Sequence, residues 1–445
     1  MAGFGFTPSG DPNDPEDKKP SNNPFGSFGD IFQQFSNMGL NLQGLMAALS
    51  GQKTPASLSK EMIRDISRKF LSAHGEQPVS IADLNLAQEA LNIADLWLNE
   101  ATVFPPLPIP DTCALSRRDW IDSTLAGWEE IAKPLVEGMS DAMSAMLREN
   151  FGENAIEGLN IPGFSGGATG MQIPQPVLAA IMGTFMSSLI SSQLGQTIGN
   201  LSTTVTGSND VALPLAREIR PGLIPQNCNN WGAGLDIELH EVRIYLALRE
   251  IAAARLFHSA PWLRDYIRSA ISTYGKGIRV DITAITEQAQ EAMNSGQLDP
   301  SNPESLTLAL SGGLFTPEET PAQRSALENL ETLLALIDGW IDAVVALAAK
   351  DRLPSLIKLR ETQQRRRATK SPTQELFATL VGLEVSPRRT REASAFWEKV
   401  VELKDIKSRD EIWEEALLLP RGEQLSDADA FLKSRTVPDD LSGLI

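Results

Sequence analysis

Apolar residues return every three or four positions along most of this chain, the period of a helix with one buried face. The pattern predicts helices over 57–74, 80–100, 116–150, 174–201, 236–257, 260–274, 320–350, 372–382 and 390–403. A shorter amphipathic stretch, IFQQFSNMGLNLQGLMAALSG (31–51), fits the same period. Ser80 is placed to cap the second of these helices, with Asp83 three residues on completing a capping box, and FPPLPIP (104–110) breaks the pattern after it. Strand-like runs are confined to TVTGSNDVALPL (203–214) and GIRVDI (277–282). The expected fold class is therefore mainly α, with few short strands.

Residues 1–30 are dense in Gly, Pro, Asn, Ser and Asp and have little to bury, so they read as a disordered leader. The remainder divides into an N-terminal helical region, 31–210, and a region 211–445 built around the apolar stretch VRIYLALREIAAARLFHSAPW (242–262). A long loop, GLIPQNCNNWGAGLDI (222–237), leads into that stretch and is of the kind that lines clefts or simply connects. At 445 residues the chain can bury a substantial core.

Charge narrows the range of partners. A formal net charge of −18 argues against general nucleic-acid binding, because a polyanion would be repelled over most of the surface. From Gly158 to Asn209 there is no charged residue, yet Gln193, Gln196, Asn200 and several serines interrupt the run before it reaches the length of a membrane span. Small residues at 183, 187, 191, 195 and 199 instead make one smooth stripe for close helix packing. Against the acidic background, 358–391 is a basic island of Lys358, Arg360, Arg365, Arg366, Arg367, Lys370, Arg388, Arg389 and Arg391. It reads as a solvated helix face with a linker, or as a docking site for an acidic partner or an acidic part of this chain. Cys113 and Cys228 are isolated, which fits a reducing, cytoplasmic setting. The N-terminus lacks the basic and apolar segments of a secretory signal.

Candidate chemistry gathers on the stretch at 242–262. A zinc-protease helix needs two histidines four residues apart, so that both rings leave one face, with a glutamate after the first to serve as general base. His240 is followed by Glu241, but Ile244 stands where the second ligand belongs. His258 lies 18 residues further on, about 27 Å along a straight helix at 1.5 Å per residue. His74, Cys113 and Cys228 offer no ligand spacing either. Glu250 sits among apolar neighbours, and a buried carboxylate must be paired or protonated. It is read as a structural ion pair, as a retained catalytic glutamate, or as a plainly exposed residue.

Several segments in order resemble the actinobacterial zinc-dependent metalloprotease family, whose other branch is tied to deazaflavin cofactor biosynthesis. They are FGF (4–6), NPFG (23–26), SQLGQTIGNL (192–201), LPLAREIRPGLIPQN (213–227), EVRIYLALREIAAARLF (241–257), PWLR (261–264) and LLALIDGWIDAVV (333–345). They continue through LPSLIKLRETQQRRRA (353–368), ELFATLVGLEVSPRRTREASAFW (375–397) and DADAFL (427–432). The resemblance implies a zincin-like helical fold, with 211–445 as the zincin-like region and 241–257 as its metal helix. It also implies an Arg-Glu-x-x-His motif and a second histidine in a Gly-Trp-x-x-His context. Here those two positions hold Ala253 and Ala343, while Glu250 keeps the general-base position.

Alanine donates nothing to a metal, so zinc is implied by the resemblance alone, and no metal or cofactor is expected. The expected protein is a pseudoenzyme that binds a peptide or protein partner. The alternatives are an active zinc-dependent hydrolase with ligands drawn from His240, His258 and acidic residues, or a scaffold or oligomer subunit assembled through 174–201.

Overall fold

The computed structural model describes residues 58–151, 175–278, 320–370 and 387–435. The leader and the helices expected over 31–51 and 372–382 lie outside these residues, as does most of the strand expected over 277–282.

Among the described residues, four helices come before residue 203. Helix α1 (Lys60–His74) starts at Ser59, whose side chain accepts from Met62 N. Helix α2 (Ile81–Leu98) carries the expected capping box, with Ser80 and Asp83 each bonding the other's backbone. Helices α3 (Arg117–Phe151) and α4 (Gln175–Ser202) follow. The small-residue stripe of α4 is used within the chain, against α1. A Cβ added at Gly195 would meet Ile66 at 2.9 Å, and one at Gly199 would meet Phe70 at 2.8 Å. Ser67 Oγ donates to Gly195 O at 2.9 Å, and Ser191 Oγ accepts from Ser59 N at 3.2 Å. The stripe thus serves close packing, as its spacing predicts, and the face that an assembly through 174–201 would need is covered by α1.

Between α4 and the next long helix the sequence suggested a strand and a loop. Among the described residues only isolated bridges form there, joining Leu223 to Ala114 and to Gly207. The alternation in 203–214 therefore does not make a ladder. Its residues turn back on themselves, with Ala212 at a φ of 58° and Asp210 accepting from Thr206 N. Within 222–237 a short helix, α5 (Pro225–Gly232), forms with Pro225 at its start, where a missing N–H costs nothing.

Helix α6 (Leu239–Ser259) is the axis of the molecule. Val242 and every residue from Ile244 to Phe257 are buried, including the charged Arg249, Glu250 and Arg255. Helices α2 and α5 pack on it, together with α8 (Pro321–Ala349) and α9 (Leu356–Lys370). Helix α7 (Trp262–Gly277) links α3 to α8. Helix α8 is long and apolar enough to cross a membrane, but most of that stretch is buried in the core. Helix α10 (Pro387–Leu403) lies along α8, and the short α11 (Ile406–Glu411) and α12 (Ala428–Arg435) close the chain.

One buried carboxylate ties together segments more than 300 residues apart in sequence. Asp410 accepts from Thr102 Oγ1 at 2.6 Å, Val103 N at 2.9 Å, Trp340 Nε1 at 3.0 Å and Arg409 Nε at 2.7 Å. Arg409 also donates to Ala101 O at 2.7 Å. All four partners of Asp410 are donors, so its charge is satisfied without solvent.

Candidate functional site

Successive residues on a helix diverge by about 100°, so Arg249 and Glu250 leave α6 in different directions and meet different partners. Glu250 turns toward the 203–224 segment. Its Oε2 accepts from Asn209 N at 2.9 Å, and its Oε1 accepts from Asn209 Nδ2 at 2.8 Å and from Gly222 N at 3.1 Å. A Cβ on Gly207 would lie 2.4 Å from Oε2, so only glycine lets the backbone come this close. Glu250 is 3% exposed. Burial pushes its proton affinity up to about 8, although the three donors pull the other way. Of the three readings of Glu250, exposure is excluded, and its partners are backbone and amide N–H groups rather than a counter-charge.

Arg249 turns toward α8. Its Nη2 donates to Asp338 Oδ1 at 2.6 Å, and its Nη1 lies 3.9 Å from Asp342 Oδ1. Burial works against its charge, but Asp338 and Asp342 outweigh it and hold the guanidinium more firmly protonated than an ordinary arginine. Burial likewise opposes the Asp338 charge, and Arg367 and Arg249 overcome it, setting that carboxyl below its usual range.

Helix α9 supplies the remaining cations. Arg367 Nη2 donates to Asp210 Oδ1 at 2.7 Å and to Asp210 O at 2.8 Å. Arg360 reaches Asp342 through Nη2 at 2.8 Å and Nε at 3.3 Å, and Glu398 through Nη2 at 2.8 Å. Ser394 Oγ adds a bond to Asp342 Oδ2 at 2.9 Å. The basic island thus docks in part on acidic groups of this chain. Asp210, Asp338 and Asp342 were not foreseen. Two carboxylates one turn apart within the apolar run of α8 were the available signal.

Thr206, Asn209, Asp210, Arg249, Glu250 and Arg367 surround a cavity of about 10 Å³, closed on its apolar side by Leu246, Ala253 and Ile341. That is room for roughly one water molecule. Ala253 lies on this wall, and Ala343, buried on α8, is not among the lining residues. The expected ligand candidates are elsewhere. His240 and His258 are exposed at opposite ends of α6, and His74 stacks on Phe70 at 4.1 Å. Glu241, which follows His240, accepts from Ser355 N at 2.9 Å and so anchors the start of α9. Cys113 and Cys228 are free and buried, and burial pushes the Cys228 thiol up to about 12.

These residues do not fit a zinc ion. The two ligand positions that the resemblance implies hold Ala253 and Ala343, which donate nothing, and each oxygen of Glu250 already accepts from an N–H donor. Among the described residues no group of three or more His, Cys, Asp or Glu side chains is placed to hold a metal.

Residues 60–432 match the model of a family described as zincin-like metallopeptidase. A solved structure from Chloroflexus aurantiacus, of a provisional hydrolase with a novel fold, superposes with a TM-score of 0.56 at 16% identity. The match covers 85% of this chain and 100% of that one. At that identity the likeness speaks for the fold. No match was found among curated proteins.

Proposed function

We propose, for a chain that belongs to the zincin-like metallopeptidase family, that it has left metal-dependent hydrolysis behind and acts by holding a peptide or protein partner. One observation carries the first half of this reading. The position that would face a metal and its water is filled by a closed set of charges and N–H bonds around Glu250 and Arg249, with Ala253 opposite. A general base needs a lone pair aimed at a proton it can take, and a peptide substrate needs access. Glu250 spends three of its acceptor sites on Asn209 and Gly222, and the adjoining space holds about one water, too little for a peptide.

The second half, partner binding, is favoured over assembly through α4 because the small-residue stripe of that helix already packs on α1. The finer placement, in an actinobacterial branch beside the deazaflavin-linked one, rests on the sequence matches, and a cytoplasmic setting rests on the two free thiols.

Zinc titration of the full chain by calorimetry, paired with a peptidase assay on a mixed peptide library, tests the reading. The expected result is no stoichiometric zinc at micromolar free metal and no turnover above a heat-treated control. Stoichiometric zinc, with turnover that disappears in Glu250→Ala, would restore the hydrolase.

A further inference from the structure

We infer that the wall formed by α6, α8 and the 206–210 turn is an arginine-recognition surface, which α9 fills as an intramolecular ligand and an arginine-bearing peptide fills when α9 lifts. This deepens the partner-binding reading above and rests on it.

The contacts of α9 are those by which proteins recognise a guanidinium. Arg360 meets Asp342 through two nitrogens, at 2.8 and 3.3 Å. Such forked geometry suits arginine and not lysine. The Arg366 guanidinium stacks 4.5 Å above the Trp231 ring and donates to Trp231 O at 2.7 Å. Arg367 takes both the carboxylate and the backbone carbonyl of Asp210. Between them Gln363 Oε1 accepts from Trp231 Nε1 at 3.3 Å. Arg360, Gln363 and Arg367 are spaced so that one side of the helix presents them together.

What holds α9 by apolar burial is thin by comparison. Among the described side chains of LIKLRETQQRRRATK, only Leu356 and Leu359 are buried hydrophobics, whereas Ile357 is 82% exposed. Helix α8 buries apolar side chains along almost its whole length. Elements held mainly by polar contacts, with little buried apolar area, open at lower free energy than core helices.

The surface beneath α9 is left with a defined preference. Without Arg360 and Arg367, the carboxylates Asp210, Asp338, Asp342 and Glu398 lose these counter-charges, and Arg249 remains beside Asp338 and Asp342. Arg249 is 6% exposed, and its Nε–H has no hydrogen-bond partner although the residue lines the adjoining cavity. Unbalanced carboxylates in a partly buried wall attract a cation strongly, and the net charge of −18 adds long-range attraction. An arginine-bearing helix or extended peptide is the partner class that satisfies this wall as α9 does.

The probe is a fluorescent synthetic peptide of residues 356–370, titrated into the full chain and into the double variant Arg360→Gln/Arg367→Gln, whose own strap is weakened. The variant should bind at least about tenfold more tightly than wild type, a gap of roughly 1.4 kcal/mol. Adding Asp342→Asn should remove the gain, and a peptide with its four arginines changed to Gln should not bind. Hydrogen exchange on wild type with excess peptide should show α9 losing protection. A folded double variant with no gain overturns the inference. So does a gain that survives Asp342→Asn, or peptide binding that leaves α9 protection unchanged. If the double variant does not fold, Arg360→Lys keeps the charge, loses the fork on Asp342 and should still bind the peptide more tightly than wild type. Equal affinity there also overturns it. Zinc binding or turnover in the metal titration would defeat the metal-free reading and leave these binding outcomes untouched.

Discussion

The proton on Glu250 gives the most direct test of how the site is built. Its ordinary value is 4.5, and in the fold burial raises it to about 8. The difference, 8 − 4.5, is about 3.5 pH units, which converts at about 1.4 kcal/mol per unit to roughly 3–5 kcal/mol. The sign follows from which state holds the proton. Between 4.5 and 8 the folded chain keeps a proton that the unfolded chain has released, so stability falls as pH rises. The contribution is full below about 4.5 and lost above about 8. Glu250→Gln removes the titration and keeps the size of the side chain. It also turns an amide N–H toward either Asn209 N or the pair Asn209 Nδ2 and Gly222 N, which costs about 1–3 kcal/mol at any pH. Urea unfolding of both proteins at each pH unit from 5 to 9 measures the difference. Wild type should be the more stable at pH 5, and the gap should close or reverse by pH 9. A gap that stays constant from pH 5 to 8 would refute the reasoning. It would mean that the three donors outweigh burial and that Glu250 is ionised throughout.

Other expectations follow from the same neighbourhood. Arg249→Ala leaves Asp338 and Asp342 buried with less counter-charge and should cost about 3–5 kcal/mol in chemical denaturation, with Arg249→Met costing less. Gly207→Ala drives a methyl to 2.4 Å from Glu250 Oε2 and should cost about 1–3 kcal/mol by the same measurement. Ala253→His must fit an imidazole beside a cavity of about 10 Å³, so thermal melts should show a large loss of stability, and calorimetry should show no zinc taken up while Arg249 keeps its ion pairs. Ser80→Ala, far from the site, removes a cap that accepts from Asp83 N and should cost about 1 kcal/mol.

Helices with a strong period were legible because propensity, capping and burial agreed. The Ser80–Asp83 box and the start of α8 show this, and the latter is closed by Thr320 and Gln323. Two features misled. Alternation in 203–214 suggested a strand, but its carbonyls and N–H groups are spent on turns, on Asp210 and on Glu250. In 222–237, Asn- and Gly-rich composition hid the two-turn helix α5, whose start is set by Pro225. At the site, the apolar setting of α6 made Glu250 conspicuous and Ala253 informative. Its actual partners, Asn209 and Gly222, lie 41 and 28 residues away. No local pattern encodes which N–H groups a distant turn will present. The arginines of α9 were visible as a charge run, and their acceptors were decided only by how α9 packs.

The cluster at Asp410 bears on how the chain reaches this fold. Its bonds to Thr102 and Val103 join residues 308 and 307 positions apart, and Trp340 is reached across 70. During synthesis, Thr102, Val103 and the Trp340 indole must wait, with their donors facing water or wrong partners, until residue 410 has left the ribosome. Contacts so far apart in sequence slow the final search, because the loop entropy is spent before any bond repays it. A nascent or truncated chain ending before 410 would therefore expose α8 and the 101–104 turn as an unfinished, sticky surface. The segment around residue 410 is where this part of the fold is completed, and where chaperone dependence should be sought.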